Sequence, residues 1–257
     1  MKVLILAGGY GTRLGEETCL RPKPMVEIGG MPILWHIMKI YAHHGFKDFV
    51  VLGGYRCDFI RNWFVNYGLE HEGDTIDLSQ ERVVLRRIRR EDWRVTVLDT
   101  GLDTMTGSRI RKAAPLIGES PFLLTYGDGV SDVDIRAVVD AHRRSGRLAT
   151  VTAVQPTGRW GALESGADGR VTSFEEKPQG DGGWINGGFF VCQPGVMSYI
   201  PDGDQVIWER EPLRALVDAG QLNAYKHHGF WHPMDMLRDK NILNSMWDEG
   251  TAPWKIW

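Results

Sequence analysis

Val3-Leu4-Ile5-Leu6-Ala7-Gly8-Gly9-Tyr10-Gly11-Thr12-Arg13-Leu14 stands at the start of the chain and decides how the rest is read. An apolar run ending in Gly8, Gly9 and Gly11 reads as a buried strand that opens into a glycine-rich turn. Glycines let the backbone come close to a ligand and aim consecutive N–H groups at one anion. After a short spacer comes Arg21-Pro22-Lys23-Pro24-Met25. Arg13 and Lys23 add fixed positive charge beside the turn. Together these residues describe a cradle for a polyphosphate, with two cations placed to neutralise charge that builds up during a reaction.

Outward from this turn, strands alternate with helices. Ile33, Leu34, Ile37, Ile40 and Tyr41 recur at helical spacing, with Pro32 suited to the first turn and Gly45 to the stop. Phe49-Val50-Val51-Leu52 reads as a strand, and Phe59, Trp63 and Phe64 mark another amphipathic helix. Thr96-Val97-Leu98 is a predicted strand, Gly107 to Ile117 a predicted helix, and Phe122 to Tyr126 a strand. Ile135, Val138, Val139 and His142 predict a helix ended by Gly146. This alternation implies an α/β fold with a doubly wound, mainly parallel sheet, in which ligands sit at the carboxyl ends of strands. After about residue 148 the pattern changes. Ala149–Val154, Val171–Phe174 and Gly187–Val191 read as strands of a mixed, partly antiparallel half, followed by helices over Leu213–Val217 and Leu237–Trp247. No clean linker separates the halves, so residues 1–257 are expected to form a single domain.

Composition excludes several classes. The formal net charge of -3 gives no bias toward nucleic acid or membrane. Glu81 to Arg94 carries six arginines but also Glu81, Glu91 and Asp92, which fits a solvated strand pair or a subunit contact better than a nucleic-acid patch. Cys19, Cys57 and Cys192 are far apart and odd in number, which suits a reducing compartment. The first apolar run stops at Gly8, too short for a signal peptide, and no stretch is long enough to span a membrane. A soluble cytoplasmic protein is the expectation. The tail Thr251-Ala252-Pro253-Trp254-Lys255-Ile256-Trp257 is too aromatic to float free. It packs either on its own domain or on a neighbouring subunit.

Four further stretches carry candidate chemistry. In Thr125-Tyr126-Gly127-Asp128-Gly129 a strand ends in an aspartate between glycines, either a hard-cation ligand facing a cleft or an ordinary Asp-Gly turn. Phe174-Glu175-Glu176-Lys177-Pro178 ends a strand with three charges, and Lys177 could pair with a phosphate monoester. In Gly182-Gly183-Trp184-Ile185-Asn186-Gly187-Gly188 the glycines mark a bulge or a close ligand approach, and Asn186 offers the donor and acceptor a sugar hydroxyl requires. Asp235, after Phe230-Trp231-His232-Pro233-Met234, could be a second carboxylate opposite Asp128 in a magnesium site. His227, His228 and His232 suggest zinc, but adjacent histidines point apart on a strand and no cysteine lies near.

Taken together, Leu6 to Leu14, Pro22-Lys23-Pro24-Met25, Gly127-Asp128-Gly129 and Glu176-Lys177-Pro178 resemble the sugar-phosphate nucleotidylyltransferases. Pro24 to Gly30, Ile33 to Met38, Met105-Thr106-Gly107, Thr125 to Val130, Ile185 to Phe190 and Ala252 to Lys255 extend the resemblance to the branch that acts on CTP and glucose 1-phosphate. The resemblance implies a fold of the nucleotide-diphospho-sugar transferase type, with residues 1–147 mainly binding nucleotide and 148–257 mainly binding sugar phosphate. It implies formation of CDP-glucose and pyrophosphate, Mg2+ as cofactor, a homo-oligomer of up to a hexamer, and a product destined for dideoxyhexose and surface polysaccharide synthesis. On the same resemblance, Leu6, Ala7, Gly8, Gly9, Tyr10, Gly11, Thr12 and Gly127 wrap the nucleotide. Thr104, Thr106, Gly107 and Arg109 read the base. Arg13 holds the departing pyrophosphate and Lys23 the α-phosphate, Asp128 and Asp235 hold the metal, and Gly161, Glu176, Lys177 and Asn186 bind the sugar phosphate.

Two rivals differ in kind. A nicotinamide-dependent oxidoreductase would need the full glycine fingerprint and an acidic residue after the second strand; Leu52-Gly53-Gly54 stands there instead. A non-catalytic nucleotide sensor on the same fold would have no use for Arg13, Lys23, Asp128 and Asp235 together.

Overall fold

The apolar run Val3–Ala7 forms β1, and all five residues are buried. The computed structural model describes residues 1–67, 69–77, 82–87, 91–156, 162–165, 168–175 and 183–257, and at residues 13, 16, 69–77, 82–87, 162–165 and 174–175 it describes the backbone alone. After β1 come α1 (Glu16–Leu20), β2 (Glu27–Ile28), β3 (Met31–Pro32), α2 (Ile33–His43), β4 (Asp48–Gly53) and α3 (Cys57–Asn66). There follow β5 (Leu69–Asp77), β6 (Arg82–Arg87), β7 (Arg94–Asp99), α4 (Thr106–Lys112), α5 (Ala114–Ile117), β8 (Phe122–Tyr126), β9 (Gly129–Ser131) and α6 (Ile135–Ser145). The second half holds β10 (Ala149–Val154), β11 (Ala162–Ser165), β12 (Val171–Glu175), β13 (Ile185–Cys192), α7 (Glu211–Asp218), β14 (Leu222–His227), β15 (Trp231–Pro233) and α8 (Leu237–Asp248).

Seven strands form one sheet in the order β14-β10-β13-β8-β1-β4-β7. Strands β8, β1, β4 and β7 run parallel, and β13 runs antiparallel to both β8 and β10. Strand β14 pairs with β10 in parallel. The halves expected from the change in pattern thus share one sheet, and β1 sits near its middle. Because side chains alternate along a strand, Val3 and Ile5 face one layer with Ile33, Ile37, Ile40 and Val138. Leu4 and Leu6 face the other with Ile110, Ile117, Trp208 and Leu216. Helices on both faces are what a central parallel strand requires. The helix expected over residues 107–117 is broken into α4 and α5. Pro115 lacks the N–H that a continuous helix would need and its ring crowds the preceding turn. The arginine-rich stretch lies partly in β6, which pairs with β5 as an antiparallel hairpin.

The C-terminal tail packs on its own chain. Trp254 is fully buried, and Trp257 meets Trp35 of α2 edge to face, with ring centroids 5.7 Å apart. Lys255 lies over the Trp247 ring of α8 at 4.5 Å. The anchor beneath these aromatics is His36, fully buried on α2. Its Nε2 donates to the Ile28 carbonyl at 2.9 Å and its Nδ1 accepts from Trp254 Nε1 at 3.3 Å. Both ring nitrogens are therefore satisfied only in the neutral form.

Burial drives the His36 pKa down to about 4, with Lys255 adding a smaller push in the same direction. Between that value and the ordinary one near 6.5 the unfolded chain takes up a proton that the folded His36 refuses. Stability from this residue is therefore complete above pH 6.5 and is lost as pH falls toward 4, by about 3 kcal/mol. Urea unfolding of the wild type across this window is expected to lose about that much more than a His36→Gln variant does. Parallel profiles would show that the tail is not held by a neutral imidazole.

Candidate active site

The turn after β1 is shaped by what its glycines leave out. Gly11 has φ of 65°, the left-handed region that favours glycine. A Cβ there would also lie 2.8 Å from Lys23 Cβ and 2.9 Å from Thr18 Cγ2. The missing side chain is what lets Lys23 pack directly against the turn. Thr18 Oγ1 donates to the Gly11 carbonyl at 3.1 Å, and Leu14 N donates to the same oxygen at 3.0 Å. Residues Lys23–Met25 form a single 3-10 turn with Pro24 and Met25 buried, which fixes the direction of the lysine stem.

Two more segments converge on this lysine. At the end of β8, Gly127 N donates to the Leu6 carbonyl at 2.9 Å, and a Cβ on Gly127 would lie 2.8 Å from that same oxygen. The glycine thus presses the strand end against β1 and delivers Asp128. Strand β15 pairs with β9, and Met234 N donates to the Asp128 carbonyl at 2.8 Å, which delivers Asp235. The Asp239 carboxylate, in the first turn of α8, accepts from the backbone N–H groups of Asp235 and Met236 at 2.9 and 2.8 Å.

Lys23 Nζ lies 2.6 Å from Asp128 Oδ2 and 2.7 Å from Asp235 Oδ1. All three side chains are about a third exposed or less. Burial alone would lower the lysine pKa, but the Asp128 and Asp235 carboxylates outweigh it and hold the pKa above the ordinary value. The lysine is a fixed cation at neutral pH. Among the described residues no cluster of three or more His, Cys, Asp or Glu is placed to hold a metal. Two hard carboxylates already facing one cation nevertheless fit a magnesium-type ion, which takes one or two carboxylates and completes its shell with substrate phosphates and water.

The base-reading candidates lie at the same end of the sheet, and several of their polar groups are engaged within the protein. Thr104 Oγ1 donates to the Thr100 carbonyl at 2.7 Å, and Gly107 N donates to the Val206 carbonyl at 2.9 Å. Arg109 is set differently from the expectation of a base reader. It is 4% exposed. Its guanidinium donates to the carbonyls of Gly8, Gly53, Gly101 and Leu102 at 3.1, 2.9, 2.8 and 3.2 Å, and to Thr100 Oγ1. A Cβ on Gly8 would lie 2.2 Å from this guanidinium and one on Gly54 2.4 Å. At Gly8 the bare backbone therefore makes room for an arginine that ties the turn to the ends of β4 and β7. Burial lowers the Arg109 pKa, with Asp99 opposing. Tyr10 is exposed at the turn, meets Tyr55 at a tilt with centroids 5.3 Å apart, and donates to Asp103 at 2.8 Å.

Asn186 reaches the site from β13. Its amide donates to Tyr126 Oη at 3.0 Å, and its Oδ1 accepts from Gly188 N at 2.9 Å. The glycines here do form a bulge: the β10–β13 register shifts between Val151 and Ala153. A Cβ on Gly188 would lie 2.4 Å from the Tyr126 ring. The Arg13 side chain and residues Gly161, Glu176 and Lys177 lie outside what the structure describes.

One segment was not foreseen from the sequence. Residues 202–209, too short to show a periodicity and with Trp208 buried in the core, lie along the start of α4. Met105 N donates to the Asp204 carbonyl at 2.8 Å, Trp208 N to Thr106 Oγ1 at 2.9 Å, and Lys112 pairs with Asp204 at 2.7 Å. The segment carries Glu209, whose carboxylate accepts from Tyr126 Oη at 2.6 Å and from Thr106 Oγ1 at 2.7 Å. No sequence signal marks it.

Comparison with known proteins bears on this arrangement. The nucleotidyl transferase family model matches residues 2–234. The glucose-1-phosphate cytidylyltransferase of Salmonella typhimurium (strain LT2) is 52% identical over 258 aligned positions, covering all of both chains. The probable glucose-1-phosphate cytidylyltransferase of Bacillus subtilis (strain 168) is 42% identical over 257, again covering all of both. Among solved structures, HddC from Yersinia pseudotuberculosis superposes with a TM-score of 0.71 at 23% identity, over 96% of this chain and 99% of that one, which supports the nucleotide-diphospho-sugar transferase fold. With the glycine turn, the half-buried lysine and the two carboxylates in place, the chain belongs to the nucleotidyl transferase family, in its glucose-1-phosphate cytidylyltransferase branch.

Proposed function

We propose that this protein transfers the cytidylyl group of CTP to glucose 1-phosphate, releasing pyrophosphate and forming CDP-glucose for dideoxyhexose and surface polysaccharide synthesis. The observation that supports it most is Lys23 held between Asp128 and Asp235 beside the glycine turn. No protein nucleophile is required. A phosphate oxygen of the sugar phosphate is already anionic and attacks the α-phosphorus of CTP. The new oxygen–phosphorus bond forms as the bond to the bridging oxygen of the β-phosphate breaks, and the electron pair leaves with pyrophosphate. The protein's task is to align two like-charged substrates and stabilise the crowded phosphorus.

Backbone N–H groups of the glycine turn cradle the triphosphate. Lys23 lies on the α-phosphate, Arg13 on the departing pyrophosphate and Lys177 on the sugar phosphate. Arg109 acts through the turn it braces and not by touching the base. Asp128 and Asp235 would hold Mg2+, which when bound neutralises charge on the phosphates. Release of pyrophosphate from CTP and glucose 1-phosphate, compared across the four nucleotides and several hexose phosphates, tests the reading. Absence of turnover with that pair, beside turnover with another, would replace it.

Lys23→Ala is expected to lower kcat by roughly 100-fold or more, as loss of one preorganised donor does. Unchanged kinetics would remove the lysine from the mechanism. Asp128→Asn is expected to abolish metal-dependent turnover and to weaken magnesium binding measured by calorimetry in the presence of CTP; a fully active variant would refute the metal assignment. A third variant probes the bracing of the turn. Gly8→Ala places a methyl group inside the Arg109 guanidinium's space and is expected to raise the Kd for CTP about tenfold or more. Equal affinity would show that the turn tolerates a displaced Arg109.

A further inference from the structure

Glu209 is an exposed carboxylate that has been given a fixed direction. Tyr126 Oη donates to Oε1 at 2.6 Å and Thr106 Oγ1 donates to Oε2 at 2.7 Å. A carboxylate has about four lone-pair sites. Two protein donors therefore leave each oxygen with acceptor capacity open to solvent. Its anchors come from different parts of the fold. Thr106 begins α4 and is itself one of the candidate base-reading residues. Tyr126 ends β8, two residues before Asp128.

The row continues to Asn186, whose amide donates to the same Tyr126 oxygen at 3.0 Å. Its polarity is set along the whole length: Asn186 donates to Tyr126, and Tyr126 donates to Glu209. Asn186 Oδ1 accepts from Gly188 N, and the amide keeps its second N–H as a donor. Glu209 offers only acceptors. A group that accepts from one end and donates to the other is a hydroxyl, and a ring of hydroxyls engages such a row at several points. The row joins the ends of β8 and β13, neighbours in the sheet, whereas the glycine turn follows β1. A carboxylate here also suits the uncharged part of a sugar phosphate better than a triphosphate, which it would repel.

We propose that Glu209 is a specificity-determining residue for the sugar phosphate: its carboxylate, aimed by Tyr126 and Thr106, accepts hydrogen bonds from hydroxyls of the hexose ring. This rests on the reaction proposed above, and wild-type turnover of CTP with glucose 1-phosphate tests that reaction separately. The inference itself is tested with Glu209→Gln, which keeps the shape of the side chain and removes its charge. KM for glucose 1-phosphate is expected to rise about 10- to 100-fold, the loss typical of a hydrogen bond to a charged group. KM for CTP and the preference for CTP over UTP are expected to stay within about twofold, well below the loss a misplaced base contact brings.

A series of deoxy-glucose 1-phosphates supplies the decisive comparison. Removing the contacted hydroxyl is expected to penalise the wild type strongly and Glu209→Gln little. Tyr126→Phe, which removes an anchor and leaves the carboxylate, is expected to shift KM for the sugar phosphate in the same direction by less. It carries the same deoxy series should Glu209→Gln fail to fold. Two results would overturn the proposal. One is equal penalties for every deoxy sugar in wild type and variant. The other is a change in CTP over UTP preference with KM for the sugar phosphate unmoved, which would place the carboxylate at the cytosine amino group instead.

Discussion

The site depends on a single ammonium group. Asp128 and Asp235 come from segments more than a hundred residues apart in sequence, and both lie within 2.7 Å of Lys23 Nζ. Two carboxylates facing one another at this depth would repel strongly without a cation between them. The lysine therefore does more than supply charge for chemistry. It fixes the end of β8 and the segment after β15 in one arrangement, so the sheet presents both carboxylates to the same point. Packing makes this possible: Gly11 lets the lysine stem lie against the turn, and Gly127 lets β8 close on β1.

A second cation performs similar work on the other side of β1. Arg109 gathers carbonyl oxygens from the turn and from the ends of β4 and β7. Two of these backbone groups already hold a backbone partner, Gly53 from Thr100 N at 3.0 Å and Gly8 from Tyr55 N at 3.2 Å, and the guanidinium adds a further donor to each. A planar guanidinium holds five donors in a fixed fork and so reaches carbonyls from several segments, where an ammonium has three donors on one nitrogen. The glycine turn is thereby held from beneath through the Gly8 carbonyl.

Much of this was legible in the sequence because the signals are local. The apolar run before Gly8 marks β1, the apolar spacing from Ile33 to Tyr41 marks α2, and the aspartate between Gly127 and Gly129 marks a strand end at a cleft. Lys23 stands out between two prolines. What could not be read depends on partners distant in the chain. Glu209 lies 83 residues from Tyr126 and 103 from Thr106, in a short stretch with no periodicity. Arg109 looks like a base reader until its carbonyl partners are seen. In the same way the aromatic tail fits either its own domain or a neighbour until His36 is found buried against Trp254. The break at Pro115 was readable and is a matter of weighing one proline against an otherwise helical pattern.

The distribution of charge has a consequence for catalysis. A site for two anionic substrates would be expected to avoid carboxylates, yet three lie along it. Each is already engaged by donors from the protein: Asp128 and Asp235 by Lys23, Glu209 by Tyr126 and Thr106. Such bonds spread negative charge into the scaffold and fix which acceptor sites remain open. The carboxylates that share the lysine sit at the glycine turn, where phosphates and a divalent ion would meet. The carboxylate held by neutral hydroxyls sits toward β13, where a neutral ring would lie. On the reading proposed above, repulsion between substrates is countered at the phosphates, and the same residue type would serve a metal in one place and a polyol in another because its donors differ.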